Sequence, residues 1–95
     1  MRIIDKKALA QFCKLHPHAN APLESWCLLM KSRDFANFAE LRGSFRSADS
    51  VGRLVVFDIG GNKYRLITAI HYNTSLVYIR AVLTHAEYDL GKWKE

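Results

Sequence analysis

The 95-residue chain contains no apolar run near the roughly 18 residues needed to cross a bilayer. Its opening residues, Met1-Arg2-Ile3-Ile4-Asp5-Lys6-Lys7, also lack the long apolar stretch of a secretory signal. Together these absences lead to the expectation of a cytoplasmic protein with no membrane partner. Cysteine is scarce. Cys13 and Cys27 both fall in segments that read as helices, and thiols stay reduced where no export signal directs a chain outward, so no structural disulfide is expected. Acidic residues are outnumbered, with 9 Asp and Glu against 14 Lys and Arg, for a formal charge of +5. That surplus on a small surface attracts polyanions, either nucleic acid or an acidic protein. Length is short as well: a chain of this size buries only roughly 60 to 65% of its unfolded surface, which leaves no room for a cofactor domain beside a substrate domain. We expect one domain over residues 1–95, without internal repeats or low-complexity tracts. What is present, 49% hydrophobic residues with 12% aromatic, suffices for a folded core.

Met1 to Ile4 reads as a short strand and Asp5 as a helix cap. A first helix follows over Lys6 to Leu15, with Ala8, Leu9, Phe12 and Leu15 at three- and four-residue steps, and Pro17 stops it. After a loop from His16 to Ala21, with Pro22 tolerated in a first turn, Leu23, Trp26, Cys27 and Met30 form a second stripe. Lys31 to Gly52 reads as a loop holding at most one helical turn. From Leu54 the period becomes two: Leu54 to Ile59, Tyr64 to Tyr72 and Leu76 to Leu83 are strands of an antiparallel meander. If both joins enclose an even number of residues, Val55, Phe57, Ile59, Leu66, Ile70, Val77, Ile79, Ala81 and Leu83 share the core side. Arg65, His71, Tyr78 and Arg80 then share the opposite side with Leu54, Val56 and Ile67. Thr84-His85-Ala86-Glu87 fits a reciprocal capping box opening a short helix, on which His85, Tyr88 and Asp89 share a face. Gly91 ends that helix, and Lys92-Trp93-Lys94-Glu95 is a basic tail.

Lys63, Arg65, Arg80, His85 and Tyr88 would then gather at one end of the sheet. Arginine offers a planar fork for phosphate oxygens, histidine exchanges a proton near neutral pH, and tyrosine stacks on a base or donates a hydrogen bond. Such a set can cleave RNA without metal, the ribose 2′-hydroxyl attacking the adjacent phosphorus while a base, an acid and fixed cations assist. No metal or cofactor is expected. Cys13, His16 and His18 lie close in sequence but lack the second short-spaced pair of a zinc site. Gly60-Gly61 lacks the strand-to-helix setting and GKS or GKT ending of a phosphate loop, and neither cysteine sits where a thiolate would be activated.

The run Val56-Phe57-Asp58-Ile59-Gly60-Gly61-Asn62-Lys63-Tyr64-Arg65-Leu66, followed by Tyr78-Ile79-Arg80 and by Thr84-His85-Ala86-Glu87-Tyr88-Asp89, resembles the HigB toxins of type II toxin–antitoxin modules. These belong to the RelE-like superfamily. The resemblance implies an α+β, RelE-like fold: a small, mostly antiparallel sheet with two N-terminal helices on one face, a basic cleft on the other and a short C-terminal helix. It implies an endoribonuclease, an mRNA interferase acting on mRNA in the ribosomal A site, and a HigA-like helix-turn-helix antitoxin as partner. Arg65 and Arg80 match phosphate-binding positions, His85 and Tyr88 match proton-transfer and base-stacking positions, and Lys63 joins them as an RNA contact. The alternative is a non-catalytic module holding RNA or the ribosome with the same basic face. His85 separates the two, since binding phosphate needs only cations whereas scission needs proton transfer.

Overall fold

The computed structural model describes residues 1–94. Strand β1 (Arg2–Ile4) leads into helix α1 (Lys6–Leu15), a 3-10 turn (Pro17–Ala19) and α2 (Asn20–Lys31). Helix α3 (Phe38–Ser44) and strands β2 (Asp49–Val51), β3 (Leu54–Ile59), β4 (Tyr64–His71) and β5 (Leu76–Thr84) follow, then helix α4 (His85–Asp89). One sheet has the order β1-β5-β4-β3-β2, with β1 parallel to β5 and the other pairs antiparallel. The α+β, RelE-like architecture expected from the sequence is present. No helix among the described residues is long and apolar enough to cross a membrane.

The two N-terminal stripes do what their spacing requires. Leu9 from α1 and Leu23, Trp26 and Met30 from α2 are buried, with Ala8, Phe12, Cys13 and Cys27 packed against them. Leu15 is the exception: at 79% exposed it lies past the contact. Asp5 does not cap α1 with its side chain. It sits in the left-handed region at φ 71°, where the chain turns out of β1. The stretch between Lys31 and Gly52 is more ordered than its composition implies. Asn37 caps α3 by accepting from the Glu40 amide at 2.9 Å, and β2 forms a hairpin with β3. Phe35, Leu41 and Ala48 from this segment are buried, and Phe45 meets Phe57 edge-on at 5.0 Å. Each large side chain so buried contributes about 1.5 to 3 kcal/mol.

Both β-joins enclose four residues, 60–63 and 72–75, so the even-join condition is met. The register nevertheless departs from expectation halfway along β5. Ile67 pairs with Ala81 while Thr68 pairs with Ile79, which leaves Arg80 as the extra residue of a β-bulge. One extra residue on one strand reverses its alternation. Val82 therefore packs against the helix-side core, and Ala81 and Leu83 belong to the other side with Leu54, Val56 and Ile67. That outer side is not bare. Tyr88 and Trp93 fold back over it, and the Trp93 indole N–H donates to the Tyr88 carbonyl at 2.9 Å. Within the expected basic tail Trp93 covers apolar sheet surface while Lys92 and Lys94 stay exposed; Glu95 lies outside the described residues.

Candidate active site

The turn between β3 and β4 is built from three successive residues in the left-handed region: Gly60 (φ 64°), Gly61 (φ 59°) and Asn62 (φ 85°). Glycine lacks the Cβ that makes this conformation costly, and asparagine is among the residues that tolerate it best. Gly60→Ala should therefore lower stability by about 1 to 2 kcal/mol through backbone strain, since the added Cβ itself would meet Tyr64 and Pro22 at ordinary distances of 3.5 and 3.6 Å. Gly43→Ala, in open space within α3, should instead raise it by about 0.5 to 1 kcal/mol. Denaturant midpoints of the two variants, displaced in opposite directions, would check this.

The turn serves Arg65. The Asn62 side chain accepts from Nη2 at 2.9 Å, the Asn62 and Tyr64 carbonyls accept from Nη1 at 3.1 and 3.2 Å, and Asp58 faces Nε at 3.1 Å. Four of the five guanidinium N–H groups are thus engaged. The side chain is only 10% exposed. Arg65 is therefore anchored by the turn with one N–H left over, and the Asn-to-Arg spacing of the turn motif has a local physical cause.

Across the sheet, Thr84 and Glu87 form the expected capping box: Thr84 Oγ1 accepts from the Glu87 amide at 3.3 Å, and Glu87 Oε1 accepts from the Thr84 amide at 2.9 Å. The Thr84 contacts hold the Glu87 carboxyl below the usual carboxylate range. Because Tyr64 pairs with Thr84 and Arg65 with Leu83, the start of α4 is delivered beside the turn. The His85 amide donates to the Lys63 carbonyl at 3.2 Å, and the Tyr88 ring lies over the Arg65 guanidinium at 5.2 Å. Trp93 stacks on Tyr88 at 4.8 Å. His85 is half exposed, with Nδ1 3.0 Å from Asp89 Oδ2. With Nδ1 directed at the carboxylate, Nε2 is the ring nitrogen left for a substrate.

Lys63, Arg65, His85 and Tyr88 are thus brought together. Arg80 is not among them. It sits in the bulge, four residues before Thr84 along β5, a separation of roughly 13 Å at strand spacing. There it lines a cavity of about 350 Å³ with Arg53, Ala69, Ile70 and His71. The convergence of all five residues at one end of the sheet is therefore corrected to four at that end and Arg80 nearer the middle. Arg53 carries no signal of its own in the sequence, because the turn that presents it to the sheet exists only through the β2–β3 pairing. Among the described residues no group of three or more His, Cys, Asp or Glu is placed to hold a metal ion. Cys13 and Cys27 are unbridged, line a groove between α1 and α2 with Leu9 and Leu23, and are pushed up in pKa by burial.

A family model described as HigB_toxin, RelE-like toxic component of a toxin–antitoxin system, matches residues 19–91. An mRNA interferase HigB of Escherichia coli O6:H1 (strain CFT073) is 29% identical over 92 residues, covering 94% of this chain and 89% of that protein. The mRNA interferase toxin HigB of Escherichia coli (strain K12) and an mRNA interferase HigB of Shigella flexneri are each 30% identical over 92 residues, covering 94% of this chain and 88% of those proteins.

Proposed function

Because the chain belongs to the HigB toxin family of RelE-like toxic components of toxin–antitoxin systems, we propose that it is an mRNA interferase, an endoribonuclease whose cleavage stops translation and growth. It works in the cytoplasm on mRNA held in the ribosomal A site, and a HigA-like helix-turn-helix antitoxin restrains it. One observation supports this reading above the rest: the two segments that carry the chemistry touch, through Lys63 and His85 and through Arg65 and Tyr88. They leave a half-exposed imidazole, oriented by Asp89, at the end of the sheet where Arg65 is anchored.

In the proposed reaction the 2′-oxygen forms a bond to phosphorus as the bond to the 5′-oxygen breaks. The 2′-hydroxyl proton passes to a base and an acid returns a proton to the departing 5′-oxygen. His85 supplies one of these transfers through Nε2. Arg80 and Lys63 meet phosphate oxygens, and Arg65 holds the turn and Tyr88 in place while directing its remaining N–H toward the substrate. Tyr88 offers its hydroxyl, and its ring on rotation of Trp93, to the nucleotide. Charge held in place before the reaction stabilises the pentavalent phosphorus without reorganisation at the moment of transfer.

End chemistry tests the reading. Fragments from a ribosome-programmed cleavage assay should carry a 5′-hydroxyl and a 2′,3′-cyclic phosphate or its 3′-phosphate hydrolysis product, so that polynucleotide kinase labels them without prior phosphatase. Fragments with 5′-phosphate ends would rule out 2′-hydroxyl attack. RNA bound but left intact would favour the non-catalytic module.

A further inference from the structure

The ring of Tyr88 is already covered. Trp93 lies on it with the two rings 13° from parallel and their centroids 4.8 Å apart, an offset stack of the kind aromatic side chains prefer. Indole is the side chain nearest in shape to a purine, so it sits there as a stacked base would. What holds it is slight. The chain turns back after α4 at Gly91, which is in the left-handed region at φ 73° and whose carbonyl accepts from the Lys94 amide at 3.3 Å. The Tyr88 carbonyl accepts twice, from the Gly91 amide at 3.0 Å and from the Trp93 indole N–H at 2.9 Å. The apolar contacts of Trp93 are with the small outer cluster of Leu54, Val56 and Ile67 rather than with the helix-side core. Around the indole there is room. It borders a hollow of about 300 Å³ with Leu83, Glu87 and Leu90 and another of about 210 Å³ with Val51, Arg53 and Lys94. Leu90, in the same segment, is 68% exposed.

We infer that Trp93 is a gate on the substrate site: in the free chain its indole takes the place on Tyr88 that a base of the RNA takes in the complex, and the segment beyond Gly91 swings out to admit that base. The inference rests on the nuclease reading above, in which Tyr88 meets the nucleotide. Two flat groups cannot share one face of the Tyr88 ring, so the base and the indole compete for it. The Arg65 guanidinium also lies over Tyr88, at 5.2 Å, but the β3–β4 turn and Asp58 tether it through four contacts. Trp93 has one side-chain hydrogen bond, so Trp93 is the group that yields. A chain that must open before it binds loses affinity in proportion to the fraction closed. One stack and one neutral hydrogen bond together favour the closed form by roughly ten- to a hundredfold. RNA held by further contacts overcomes such a penalty and a short free strand does not, so the gate adds selectivity to the site.

The test is binding of a short fluorescein-labelled oligoadenylate, 2′-O-methylated throughout so that it cannot be cleaved. Trp93→Ala should bind it about fivefold or more tightly than wild type. Gly91→Ala strains the backbone of the turn while the indole stays, and should shift affinity in the same direction. In a Tyr88→Ala background Trp93→Ala should bring no gain, because the ring that the indole guards is gone. Tryptophan emission of wild type, less that of Trp93→Phe, should change as the oligonucleotide is added. Melting curves identify a Trp93→Ala protein that has lost its fold, and Gly91→Ala then carries the test. Unchanged affinity in both variants would make Trp93 a fixed cover of the sheet, and weaker binding would make it a stacking partner of the RNA; either overturns the gate. A wild-type chain that cleaves mRNA on ribosomes beside either result leaves the nuclease standing. Tighter binding by Trp93→Ala that depends on Tyr88, with a wild-type chain that cleaves nothing, would support the gate and sink the nuclease.

Discussion

Alanine in place of His85 should reduce mRNA cleavage by about 10² to 10⁴-fold, the usual cost of removing a general acid or base, and should abolish growth arrest. The fold should survive. The imidazole is 51% exposed, and the backbone bond from its amide to the Lys63 carbonyl does not depend on the side chain. The first turn of α4 is held by Thr84 and Glu87, which the substitution leaves alone. A surface change of this kind costs under about 0.5 kcal/mol, so thermal unfolding and antitoxin binding should match wild type. Primer extension on programmed ribosomes, run beside a melting curve, reads both arms. Full cleavage by His85→Ala would move the chemistry to Lys63 or Tyr88. If alanine at all three positions left cleavage unchanged, this end of the sheet would not be catalytic.

What could be read from the sequence was what is encoded locally. The α1 and α2 stripes, the join between Ile59 and Tyr64 and the Thr84–Glu87 box are each set within a few residues, so their signals are short and direct. The α3 helix rests on one capping bond from Asn37 and on aromatic packing against Phe57, which no period announces. The bulge at Arg80 is a property of two strands together, set by how Ile67 and Thr68 find partners, and β5 alone reads as unbroken alternation. Alternation alone puts Ala81 and Leu83 on the helix side, and the bulge turns them to the other. The separation of Arg80 from His85 is hidden for the same reason. For the site, the residue types were legible in the two motifs, while the burial of Arg65 beneath Tyr88 needed the Tyr64–Thr84 pairing to be known.

That burial divides two arginines that look alike in sequence. Arg65→Ala should lower stability by about 2 to 4 kcal/mol, because it removes four hydrogen-bonding contacts and leaves Asp58 without its partner. Asp58 is 32% exposed, so water recovers part of the loss and the lower half of that range is the better expectation. In a domain of this size each kcal/mol displaces the melting temperature by about 4 to 8 °C, which gives a fall of about 10 to 20 °C. Cleavage should fall with it, since the turn that carries Lys63 and the ring of Tyr88 both rest on the guanidinium. Arg65→Lys should recover little, as an ammonium cannot reach Asn62, Tyr64 and Asp58 in one plane. Arg80→Ala should behave oppositely, cutting cleavage at least tenfold with stability changed by under about 0.5 kcal/mol, because its side chain lies on the exposed rim of the bulge. Melting curves and cleavage rates measured on both variants separate the roles. An Arg65→Ala protein as stable as wild type would show that the turn stands without its anchor, and an Arg80→Ala protein that unfolds early would move Arg80 from substrate contact to framework.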